Sequence, residues 1–139
     1  MKRDLVELLR SHDVQPSAQR VAVGEYVLVT DEHPSADQVW AKVKERFPVL
    51  SRATVYNTLN LFVEKGLLRE LILAEGRVVF DPKVERHHHF IDENTGAIVD
   101  VPWDEVEVSN VDELASRGLK VREYQVVMRG KRLPRGKRV

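Results

Sequence analysis

An α+β fold in two parts is what this sequence predicts, and three observations point to it. Apolar residues recur at helical spacing up to about Glu64. Two short β-type segments follow around a turn. Beyond Asp81-Pro82-Lys83 the pattern shifts to short strands and one brief helix. The expected architecture is a winged helix-turn-helix domain over residues 1–82, then a small α/β domain over 83–139.

The elements can be justified in order. Residues 2–10 place Leu5, Leu8 and Leu9 on one helical face. Ser17, after Pro16, is positioned to cap a second helix carrying Val23, Tyr26 and Val27. Ser35 followed by Gln38 reads as a capping box for a helix that buries Val39, Trp40, Val43 and Phe47 and ends at Pro48. Ser51 caps the next helix, whose apolar stripe is Val55, Leu59, Phe62 and Val63, and Gly66 suits its C-terminal turn. Strands are expected at 67–73 and 77–80, with Glu75-Gly76 between them. In the second part, strands are expected at 87–91 and 97–101 around Glu93-Asn94-Thr95-Gly96. A helix over 111–116 capped by Asn110 and a long strand over 119–129 complete it.

Composition narrows the function classes. Lys+Arg and Asp+Glu both total 22, so any electropositive surface must come from local clustering, as in the basic tail from Lys131. The absence of cysteine excludes disulfides, thiolate metal sites and cysteine nucleophiles. The N-terminus is charged throughout, unlike a signal peptide, and no apolar run approaches the ~20 residues that span a bilayer. A soluble, cytoplasmic protein without a membrane partner is expected.

Helices followed by a β-hairpin describe a winged helix, with 51–64 as the second helix of the helix-turn-helix. Such a helix enters the major groove of double-stranded DNA. Its polar face carries Arg52, Tyr56 and Asn57, whose side chains suit guanine or phosphate, a thymine methyl and an adenine edge respectively. Periodicity alone leaves open a solvent-facing helix in a protein-binding scaffold.

A second constellation is His87-His88-His89. On a strand, His87 and His89 share a face. With Asp81, Asp100 and His33 they offer three nitrogens and two oxygens, a donor set that suits Fe(II), Mn(II), Zn(II) or Ni(II). The residues alone also fit a solvated histidine cluster.

The segments Pro16-Ser-Ala-Gln-Arg20, His33-Pro-Ser-Ala-Asp-Gln-Val39 and Ser51-Arg-Ala-Thr-Val-Tyr-Asn-Thr-Leu-Asn60 resemble, over nearly the whole chain, the Fur superfamily of metal-dependent repressors. The resemblance implies a homodimer joined through the second domain, binding a palindromic operator. It implies a DNA contact at Tyr56, and a phosphate contact at Arg20 by resemblance and position. It implies one regulatory divalent cation per subunit, Fe(II) or Mn(II) in function with Zn(II) accepted in vitro, held by His33, Asp81, His87, His89 and Asp100. An aspartate at position 100 is similar to the peroxide-sensing (PerR) branch, where iron-catalysed oxidation strikes a ligand histidine, here His33 or His87. The alternative within the family is an iron-uptake or other divalent-metal regulator without peroxide sensing.

Two further family sites are not expected. A second metal position maps to Arg86, His88, Glu107 and Tyr124, where an arginine would repel a cation. The structural zinc of many members needs four cysteines, and the corresponding positions hold Asp92, Thr95, Arg132 and Arg135. A salt clasp between Asp92 and Arg132 or Arg135 is expected there instead. An enzyme is not expected: a metallohydrolase would need an acid or base beyond the groups already assigned as ligands.

Overall fold

The computed structural model describes residues 2–73 and 76–134, and the chain divides into two compact units between Val84 and Glu85. Two sequence expectations, Glu75 in the wing turn and Arg135 in the salt clasp, fall outside the described residues.

The first unit consists of α1 (Lys2–Ser11), α2 (Ala18–Val27), α3 (Ala36–Val43), α4 (Arg52–Glu64) and a hairpin of β1 (Arg69–Ile72) and β2 (Val78–Asp81). Local chemistry sets the helix starts. The hydroxyls of Ser17, Ser35 and Ser51 accept the backbone N–H groups of Arg20, Gln38 and Thr54, satisfying donors that a helix's first turn leaves open. At Ser35 the Gln38 side chain accepts the Ser35 N–H in return, which completes the capping box. The end of α4 is a Schellman turn. Gly66 takes φ +81°, its N–H reaches the Val63 carbonyl at 3.1 Å, and the Leu67 N–H reaches Phe62 at 2.8 Å. Helix α3 ends at Val43, earlier than Pro48 suggested. Phe47 nonetheless packs on the core, its N–H bonded to the Val43 carbonyl.

The core lies where these elements meet. Leu9, Val23, Val27, Val39, Val55, Leu59 and Phe62 are fully buried. Strands β1 and β2 pair antiparallel with Arg69 opposite Asp81, forming the wing, and the Phe80 N–H donates to the Pro34 carbonyl at 2.9 Å. That bond brings the turn before α3 onto β2.

The second unit holds a three-stranded sheet of order β4-β3-β5, from β3 (His87–Asp92), β4 (Ile98–Pro102) and β5 (Val127–Gly130). Strand β3 is central, antiparallel to β4 and parallel to β5. Two expectations are corrected. The helix over 111–116 is a 3-10 helix, Asp112–Arg117, with no side-chain cap. Asn110 at φ +69° and Gly118 at φ +79° bound it too closely for stable α-helical turns, and Val111 and Leu114 are spaced for a three-residue turn. The strand over 119–129 is regular only at Val127–Gly130. Residues 119–126 lie outside the regular strand, Val126 meeting β3 through its carbonyl, which accepts the His89 N–H at 3.0 Å, and Leu119 and Val121 are exposed.

Candidate metal centre and nucleic-acid interface

Within the first unit, His33 Nε2 lies 3.1 Å from Asp81 Oδ2, both side chains buried. The other Asp81 oxygen accepts the Lys83 N–H at 2.9 Å, so the carboxylate is oriented by the turn that follows β2. His33 sits at φ +54°, a conformation uncommon outside glycine. The 2.9 Å bond between Phe80 N–H and Pro34 O holds this turn in place. Non-glycine residues in such conformations concentrate at functional sites.

Within the second unit, His87 and His89 point to one face of β3, as alternation requires, and their rings meet edge-on with centroids 4.5 Å apart. Asp100 stands opposite His89 in the β3–β4 register. Its Oδ1 lies 3.4 Å from His87 Nε2 and 3.6 Å from His89 Nε2. The far side of each ring assigns its tautomer. His87 Nδ1 donates to the Glu85 carbonyl at 2.6 Å, and His89 Nδ1 donates to Gln125 Oε1 at 3.1 Å. In the neutral tautomers so assigned, both Nε2 lone pairs face one carboxylate oxygen. The three donor atoms fall within 4.8 Å of one another, and a cation between them suits their charge and lone-pair directions. The residues the sequence offers as candidate donors are the ones the structure groups within each unit. The sequence misses Gln125, which no local signal links to His89 because 36 residues separate them.

The two sites expected to be lost can be tested against their residues. Around His88, Trp103 stacks on the imidazole at 4.5 Å and 15°, and the Arg86 guanidinium lies 4.2 Å over the indole. His88 Nδ1 accepts the Val126 N–H at 3.0 Å, which leaves the proton on Nε2, a buried atom with no hydrogen bond among the described residues. With Nδ1 engaged and Nε2 protonated, His88 offers no lone pair, and the group beside it is already a cation. These residues do not fit a metal. At the zinc positions, Asp92 Oδ2 faces Arg132 Nε at 3.6 Å, and no thiolate exists. Zinc does not fit there either. The contact is a single ion pair, not the two-bond fork expected of arginine on a carboxylate.

The candidate nucleic-acid face lies on α4 and the start of α2. Tyr56, Asn57 and Arg52 are exposed. The Arg20 guanidinium donates to the Gln15 carbonyl at 3.0 Å, and Arg20 lines a polar groove with Ser17, Thr54 and Asn57. Tyr56 and Arg52 both contact Asp37 of α3, a residue that sequence reasoning passed over. No described helix is long and apolar enough to cross a membrane.

Comparison with known proteins agrees with this geometry. The chain is 35% identical over 130 residues to the peroxide operon regulator of Bacillus subtilis, covering 92% of this chain and 88% of the relative. Its fold matches the Vibrio cholerae ferric uptake regulator at TM-score 0.71, with 22% identity over 91% of this chain and 98% of that one. The Campylobacter jejuni peroxide stress regulator matches at TM-score 0.65, with 26% identity over 94% of this chain and 98% of that one. The ferric uptake regulator family model matches residues 11–129, and the chain belongs to that family.

Proposed function

We propose that this chain is a metal-dependent transcriptional repressor of the cytoplasm, with no enzymatic turnover. It binds a palindromic operator as a homodimer and releases it when peroxide oxidises a histidine of its regulatory site. The observation that carries this reading is the pair of prepared half-sites. His33 and Asp81 are oriented in the first unit, and His87, His89 and Asp100 in the second, with the Nε2 atoms of both strand histidines turned to one carboxylate oxygen.

The five residues together would hold one divalent cation, Fe(II) or Mn(II) in function and Zn(II) in vitro. Because the donors come from both sides of the Val84–Glu85 division, their joint ligation would fix the two units in one arrangement. That arrangement sets the spacing of the two α4 helices in a dimer and shifts a mixed population towards the DNA-competent state. Residues 1–82 serve as the DNA-binding domain and residues 83–139 as the dimerisation domain. Arg52, Tyr56 and Asn57 read bases, and Arg20 contacts phosphate. Fe(II), when bound, would supply the electrons that reduce peroxide to a species able to add oxygen to an imidazole. The residues at risk are His33 and His87. The similarity to peroxide regulators, the B. subtilis and C. jejuni proteins among them, supports this over metal uptake control.

The test combines mass analysis with operator binding. Peroxide should add one oxygen to the peptide carrying His33 or His87 in the iron-loaded protein and not in the manganese-loaded one. His87→Ala and Asp81→Ala should each abolish metal-dependent DNA binding. Unmodified peptides with unchanged DNA affinity would favour the iron-uptake reading. Metal-dependent binding that survives both substitutions would remove the five-ligand site.

A further inference from the structure

We propose that Asp37 is a specificity-determining residue that positions the DNA-reading side chains of α4 and opposes their indiscriminate use. The proposal rests on the assignment of Arg52 and Tyr56 as readers. One carboxylate oxygen, Asp37 Oδ1, accepts the Tyr56 hydroxyl at 3.2 Å and faces Arg52 Nε at 3.5 Å. Arg52 and Tyr56 are four residues apart on α4 and so lie on one face. The guanidinium is also stacked 4.6 Å over the Trp40 ring, and Trp40 is pinned by its own bond from Nε1 to the Leu50 carbonyl at 3.0 Å. Two flexible reading groups are thereby held in one arrangement by α3.

The charge of Asp37 gives this arrangement its consequence. A guanidinium and a hydroxyl converging on an anionic oxygen is also how such groups meet a DNA phosphate. Asp37 therefore occupies the two readers with an internal anion, and its own charge repels any backbone phosphate that approaches them. It is about 59% exposed and sits in the first turn of α3. On non-specific DNA the contacts are chiefly to phosphates, which meet that repulsion. A correct site offers base-edge acceptors to groups already oriented, so ordering them costs less there. Asp37 thus lowers affinity for all DNA and lowers it least for the correct sequence.

The experiment uses the full-length, Mn(II)-loaded chain. One duplex is selected from a random pool by the wild-type protein, and a scrambled duplex of equal length serves as the control. Asp37→Ala should bind the scrambled duplex roughly tenfold more tightly and the selected duplex only a little more tightly, so the selected-to-scrambled affinity ratio falls several-fold, within the size of one good base contact. The slope of log affinity against log salt should steepen by about one on the scrambled duplex, as Arg52 becomes free to neutralise a phosphate. Asp37→Asn keeps an acceptor for Tyr56 but not the charge, so it should reproduce the salt effect and lose less of the ratio. In the Arg52→Ala background, Asp37→Ala should no longer change the slope. A merely structural acid at the start of α3 would move the melting temperature and none of these. An unchanged ratio and slope in both Asp37 variants, with sequence selection intact, overturns the proposal alone. Failure of the wild type to select any sequence overturns the DNA-reading assignment and this proposal with it.

Discussion

The two units differ in what they bury. In the first, an apolar core runs from Leu9 to Phe80, with Phe62, Leu59, Val55 and Val39 wholly removed from water. In the second, the described residues that are buried are His87, His88, His89 and Asp92, all polar. Phe90, Ile91, Val101, Leu114 and Val126, the apolar residues expected to stabilise it, are only half-buried. Removing apolar surface from water contributes roughly 25 cal/mol per Å². Burying polar groups contributes little unless they gain partners. The first unit therefore has the means to fold by itself. The second has less apolar burial among its described residues to draw on, and the proposed function supplies two further sources, a second copy and a cation.

The largest expected effect tests the first source. Residues 85–139 expressed alone should be a dimer wherever they are folded and lose ordered structure on dissociation. Residues 1–84 alone should melt cooperatively as a monomer. Sedimentation and circular dichroism over a dilution series check both. A folded, monodisperse monomer of 85–139 breaks the comparison, because it would show that half-buried apolar residues suffice. Exposed Leu119 and Val121, in the stretch before β5, are where a second copy is expected to add packing.

The second source is sharpened by Gln125. Its side-chain oxygen fixes His89 by accepting from Nδ1, so Gln125→Ala should leave the histidine present but free to turn. Loss of such a supporting bond weakens metal binding by about 10–100-fold. Mn(II) titration of the intact chain measures this, with Gln125→Glu as the variant that restores an acceptor. Unchanged affinity in Gln125→Ala would mean that packing on β3, not this bond, orients the ring.

Much of the first unit is legible in sequence because its signals are local. A serine hydroxyl caps an N–H three residues on, and Gly66 alone meets the positive φ of its turn, so Ser17, Ser35, Ser51 and Gly66 mark helix ends without knowledge of the rest. The second unit is legible only in outline. Its sheet is centred on β3 by pairing with β5, whose register sets His89 opposite Val127. Nothing within either segment encodes that parallel pairing. Alternation over 119–129 promised a strand, but alternation supplies a face and not a neighbour. The candidate donors His87 and His89 are legible because strand geometry is periodic and Asp100 through the family resemblance, whereas Gln125 and Asp37 make contacts that only folding creates.

The smallest effect belongs to the contact between Asp92 and Arg132. Asp92 is buried and Arg132 is 64% exposed, so their 3.6 Å contact links a fixed carboxylate to a side chain largely in water. Solvent screening and the entropy of holding Arg132 limit such a pair to about 0–1 kcal/mol. Asp92 has a second task, since its Oδ1 accepts the Asn94 N–H at 2.9 Å and shapes the turn that ends β3. The two tasks can be separated. Arg132→Ala removes only the ion pair and should lower stability by less than about 1 kcal/mol, with the loss fading at high salt. Asp92→Ala removes the turn bond from the Asn94 N–H as well and should cost about 1 kcal/mol more, that part independent of salt. Thermal melts of the full chain at low and high ionic strength read both. If Arg132→Ala instead dissociated the dimer, the clasp would be bearing the weight that the comparison of the two units assigns to the second copy's apolar surface.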